Sequence, residues 1–124
     1  MIDTAEYFQR KGSIMELIYT DDIEGESLGD RGIIHKNLLT TGERMICFLY
    51  KIPPGGSVAP HSHKVECIMY CMNGEVEINI GGEKATVKKG NAWLLPFNTE
   101  ISTKVISSTP AEILCVSSPN YMRK

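Results

Sequence analysis

Two of the chain's three histidines, His61 and His63, stand two residues apart in the stretch PGGSVAPHSHKVECIMYCMNGE. In an extended strand residues two apart face the same side, so these imidazoles project together and can bite a single metal ion. Without a metal the same pair offers a general base, because imidazole titrates near neutral pH. Continuing the parity places Val65, Cys67, Met69 and Cys71 on the histidine face and turns Glu66 and Tyr70 the other way. At ~3.3 Å per residue, Cys67 comes within reach of a site begun at His63 only if the chain folds back between them. Lys64-Val65 is the place for that turn. Cys67 and Cys71 would lie ~13 Å apart on one strand, so a single ion cannot take both. A catalytic role for Glu66 needs a β-bulge to re-aim it, and Tyr70 reads more simply as an interface or pocket-rim residue.

These side chains need elements to hold them. Short runs of β-branched, aromatic and other apolar residues, separated by Gly, Pro, Asn and Thr, follow Gly12: IMELIYT, GIIHKNLL, RMICFLYKI, CIMYCM, EVEINI, KATVKK, AWLLP, ISTKVIS and AEILCVS. Their length and punctuation indicate an all-β sandwich or barrel rather than helices. Glu75 to Ile80 alternates strictly polar and apolar, and Gly81-Gly82 is a two-residue hairpin turn into Glu83–Lys88. The opening DTAEYFQRK predicts a short helix with Asp3 or Thr4 as N-cap and Glu6 near the capping-box place, ended by Gly12. The charged, Gly-rich Asp21 to Gly32 reads as a mobile loop or flap.

At 124 residues and 13.8 kDa the chain is one domain: a helical arm and loop over 1–31 and a barrel over 32–119. Thirteen basic against fifteen acidic residues, without charge blocks, leave no positive field for a phosphate backbone, so nucleic acid is excluded as a partner. No apolar run approaches the ~20 residues that span a bilayer, and MIDTAEYFQR lacks the basic start and apolar core of a signal peptide. The expectation is a cytoplasmic protein without a membrane partner. Cys47, Cys67, Cys71 and Cys115 sit inside apolar runs and read as free thiols.

Gly55, five residues, His61-Ser62-His63 and a strand ending at Gly74 resemble the first motif of the cupins, and Gly90, five residues and Pro96 resemble the second. The resemblance covers roughly residues 32 to 119. It is nearest to small single-domain cupins of the kind that open unsaturated uronate rings, sharing LLTTGERM, HSH, IGGEKATVKKGNAW and SSPNY. It implies a double-stranded β-helix, or jelly-roll, barrel with a short N-terminal helix or arm, paired as a homodimer, whose open end holds a divalent transition metal (zinc, copper, nickel or iron). The family's motif sets Cys67 at the place of a Glu or Gln ligand, Ile101 at that of a third histidine, and Asn98 at that of a glycine.

Three readings of the site follow. In the first, His61, His63 and Cys67 bind one ion through an N,N,S set that suits Zn²⁺ or copper, with an open position for substrate. The function is then a metal-dependent isomerase or lyase acting on a polar, sugar-acid-like skeleton. In the second there is no metal, and His61 or His63 acts as general base in the pocket. In the third the barrel is a non-catalytic binder or sensor of an apolar small molecule, its pocket lined by Ile101, Met69, Val65 and Leu95. The remaining candidates divide more simply. His35 reads as structural, Tyr50 as a rim or interface residue, and Trp93 as core or dimer interface in preference to a ring-stacking surface.

Overall fold

The structure, a computed structural model, describes residues 15–28 and 32–122. The helix expected over residues 3–12 lies outside them. The described residues form β1 (Glu26–Ser27), β2 (Ile34–Leu39), β3 (Ile46–Ile52), β4 (Ser57–Ser62), β5 (Glu66–Asn73), β6 (Glu75–Ile80), β7 (Glu83–Lys88), β8 (Ala92–Leu95), β9 (Glu100–Val105) and β10 (Ala111–Ser118). They pair antiparallel into a six-stranded sheet, β1-β2-β3-β10-β5-β8, and a four-stranded sheet, β4-β9-β6-β7. The two sheets face each other as a jelly roll, and the chain is all-β as its punctuation predicts. No described helix is long and apolar enough to cross a membrane.

Alternation works as the sequence indicates. Along β5, Cys67, Met69 and Cys71 are buried while Glu66, Ile68 and Tyr70 are exposed. The β6–β7 hairpin closes with Ile80 opposite Glu83 across Gly81-Gly82, both in the left-handed region at φ 58° and 92°. Three rows cross the inner face of the larger sheet: His35–Tyr50–Ile113–Cys71, Asn37–Phe48–Cys115–Met69–Trp93 and Ile46–Ser117–Cys67–Leu95. Opposite them the smaller sheet presents Val76, Ile78, Ile101 and Val105, all buried. Side chains of this size contribute roughly 1.5–3 kcal/mol each when fully buried, so the inter-sheet layer is the principal stabilising element. Asn120, within SSPNY, donates from Nδ2 to the Thr40 carbonyl within LLTTGERM at 2.9 Å, bringing together two segments that carry the family resemblance.

Two expectations change. IMELIYT forms no strand over Met15–Tyr19; it leads into a single 3₁₀ turn at Thr20–Asp22, and Met15, Leu17 and Tyr19 stay exposed. Composition alone does not make a strand where no neighbour offers a ladder. The charged segment after it is partly docked. Glu26 and Ser27 pair with His35 and Ile34, and the Leu28 amide donates to the Ile33 carbonyl at 2.8 Å.

Candidate functional site

His61 is aimed by an irregularity in β4. Val58 pairs with Thr103 and His61 with Ile101, so three steps along β4 match two along β9 and one extra residue bulges at Ala59-Pro60. Pro60 lacks an N–H and costs the ladder nothing there. The bulge resets the parity, so that Val58 and His61 share the inner face, and it frees the Ala59 carbonyl, which lies 2.8 Å from His61 Nδ1. A carbonyl only accepts, so in the neutral ring Nδ1 carries the proton and Nε2 the lone pair. His63 follows just beyond the strand, its ring in an edge contact with His61 at 4.6 Å between centroids. Burial, with the neighbouring His61 adding to it, holds the His63 pKa below the usual imidazole range. Its backbone is held from the β8–β9 turn, where the Asn98 amide donates to the His63 carbonyl at 2.9 Å. Asn98, at φ 57°, lies in the left-handed region, which Asn tolerates better than most residues.

Both histidines border a cavity of about 490 Å³ between the sheets. One wall comes from the larger sheet: Ile33, Tyr50, Ile52, Met69, Trp93 and Ile113, with Leu28 reaching in from the docked segment. The other comes from β4 and β9: Ser57, Val58, Ala59, Ile101 and Thr103. No Lys, Arg, Asp or Glu is among these lining residues. Burial pushes the Tyr50 hydroxyl well above the usual phenol range, so it remains a donor at any physiological pH. The Trp93 indole N–H is buried without an acceptor among the described residues. Ile101 and Met69 line the cavity as the sequence suggests, whereas Val65 and Leu95 are buried in the core outside its lining. Tyr50 and Trp93 are both partly buried against the core and form cavity wall, as the rim reading of Tyr50 and the core reading of Trp93 suggest. His35 packs its ring against Phe48 and Tyr50 at 5.0 and 4.9 Å and does not line the cavity.

The structure assembles only part of the expected ligand set. After the Lys64-Val65 turn the chain has left the four-stranded sheet for the six-stranded one, where Cys67 sits beside Ser117 and Leu95. Its thiol lies 3.2 Å from Ser117 Oγ, which is 3.5 Å from the Cys115 thiol. Hydrogen bonding from Cys115 holds the Cys67 pKa below the ordinary thiol range, and the same contact together with burial raises Cys115. Cys67 is therefore satisfied within the core, and it is not among the residues lining the cavity beside His61 and His63. Among the described residues no three His, Cys, Asp or Glu side chains group as a metal ion requires. The donors present do not fit the family's three- or four-ligand ion, since Ile101 directly opposite His61 brings only hydrocarbon. Glu66 and Tyr70 stand exposed on the outer face of the six-stranded sheet, away from the cavity, because β5 is regular from Glu66 to Cys71 and its register shift comes only beyond them, at Met72. The β4 bulge, Thr103 and Ser117 escape sequence reading, with Pro60 inside a strand the one signal available for the bulge.

Comparison with known proteins agrees with this architecture. Residues 48–117 match the cupin domain model. An uncharacterised protein of Methanocaldococcus jannaschii, MJ1618, is 29% identical over 92 residues, covering 73% of each chain. Among solved structures, the polyketide cyclase RemF from Streptomyces resistomycificus superposes with a TM-score of 0.74 at 20% identity, covering 85% of this chain and 80% of that one. KdgF from Halomonas sp. gives 0.74 at 22% identity, covering 82% of this chain and 92% of its own. At these identities the structural likeness speaks for the fold alone, while the domain match spans more than half of the sequence. This chain is a member of the cupin family.

Proposed function

We propose that the chain is a small-molecule cupin that moves a proton on its ligand without a metal, using His61 as the base. The observation that carries this reading is the 2.8 Å contact of His61 Nδ1 with the Ala59 carbonyl, which makes Nε2 the basic nitrogen of the neutral ring on a residue that borders an apolar cavity. For a ligand with a C–H bond next to a carbonyl, the proton passes from carbon to Nε2, the C–H pair becomes the C=C bond of an enolate, and the C=O π pair moves onto the oxygen. Tyr50, protonated, and Thr103 are the hydroxyl donors of the lining that can meet the charge on that oxygen. The cavity's apolar walls favour a hydrocarbon skeleton over the sugar acid that uronate-opening relatives would suggest.

Deuterium exchange into the α-position of 1-indanone, followed by NMR at pH 8 with chelator present, tests the reading. The wild type should exceed the buffer rate, and His61→Ala should lose roughly 10²–10⁴ of the acceleration. An acceleration that disappears with chelator and returns with added zinc, or one unchanged in His61→Ala, would overturn it. We also infer that the chain pairs with a second copy through the outer face of its six-stranded sheet.

A further inference from the structure

The cavity's composition narrows the ligand further, on the footing of the metal-free reading above. We infer that it takes a planar aromatic compound carrying a neutral hydroxyl donor, a phenol or a stable enol, and that it excludes carboxylates and phosphates of the same shape. One wall sets Trp93, Met69 and Tyr50 against the β-branched Val58 and Ile101 of the other. Aromatic and thioether side chains reward a flat π-face with contacts that a saturated, hydroxylated ring does not return. The polar end is equally selective. His61 Nε2 is an acceptor because the Ala59 carbonyl fixes the proton on Nδ1, so the matching ligand group must donate. Among the described residues no lysine or arginine lines the cavity, so an anion would leave water without a countercharge, and an anionic group placed against His61 Nε2 would meet a lone pair.

Three probes of one shape separate the possibilities: naphthalene, 2-naphthol and 2-naphthoate, titrated at pH 8 with chelator into the full chain. The single tryptophan gives one indole N–H resonance, and it sits in the cavity wall, so ¹⁵N-labelled protein reports occupancy directly. At this pH a phenol, with a pKa of ~10, is neutral. The expected order is 2-naphthol tightest, naphthalene roughly fivefold weaker for want of one hydrogen bond, and 2-naphthoate weaker than 2-naphthol by tenfold or more. His61→Ala should bring 2-naphthol down to the level of naphthalene in the same variant. Equal binding of naphthalene and 2-naphthol in the wild type overturns the inference and leaves the apolar pocket standing. Preferred binding of 2-naphthoate overturns it too, and if that preference requires added metal the metal-free reading falls with it. If none of the three moves the indole resonance, the pocket itself is not a ligand site and both are wrong.

Discussion

At the scale of single residues the decisive difference lies between His61 and Cys67. His61 is exposed and borders the cavity with Nδ1 held by the Ala59 carbonyl, whereas Cys67 is buried and ends in a closed contact with Ser117 and Cys115. Cys67 is 2% exposed, whereas Cys47 is half-buried on the outer face. A lowered pKa makes a thiol reactive only if the reagent can reach it. Iodoacetamide followed by peptide mass spectrometry should therefore modify Cys47 before Cys67 in the native protein, and Cys67 only at the rate of local opening. Adding zinc or stripping metal should leave the Cys67 rate unchanged. Fast modification that zinc suppresses would restore Cys67 as a ligand. The inward direction of Cys67 was legible in the sequence because alternation is local. Its partner was not, because Ser117 is fifty positions away and reaches it only through the β5–β10 register.

Among the elements, those specified by their own residues could be read and those specified by a neighbour could not. The β6–β7 hairpin carries its alternation and its turn within fourteen residues, and the structure reproduces both. β1 is two polar residues of a segment that reads as a loop, and it exists only because β2 offers an edge. IMELIYT has strand composition and no such edge. The β4 bulge decides where His61 points and appears in sequence only as a proline within a strand. Where the chain passes from β5 into β6, Gly74 has φ 80°, and an added Cβ would stand 2.7 Å from the Pro110 carbonyl oxygen and 2.8 Å from Ala111 Cα. Both obstacles are backbone, so nothing can swing aside. Gly74→Ala should cost about 3 kcal/mol or more, combining a disfavoured φ with overpacking. Gly82, also at positive φ, meets nothing within 4 Å, so Gly82→Ala carries the conformational cost alone, about 1 kcal/mol. Urea unfolding of the two variants compares them directly, and equal losses would mean that the β5–β6 passage relaxes around the new methyl.

For the whole molecule the unresolved question is what covers the outer face of the six-stranded sheet. Over β2 and β3 the chain covers itself: Lys36 Nζ donates to the Thr20 carbonyl at 3.1 Å, and Leu49, though it points outward, is 2% exposed. Over β10, β5 and β8 the described residues leave two apolar rows, Leu114–Tyr70–Ala92 and Val116–Ile68–Leu94, with Ile68 57% and Leu94 52% exposed. These rows end at β8, an edge strand with one free side, and a contiguous apolar patch beside an open edge invites association. A second copy of the same face meets it with matching chemistry, and two-fold pairing closes the assembly at two. Light scattering should then give twice 13.8 kDa for the wild type. The double variant Ile68→Lys, Leu94→Lys should give the single-chain mass, because four like charges brought together across a dry interface oppose pairing more than the remaining apolar contacts favour it. Both substituted side chains point away from the cavity, so the variant should still show the indole shift with 2-naphthol. A monomeric wild type would sink the pairing, and a double variant that stays dimeric would move the interface to another face.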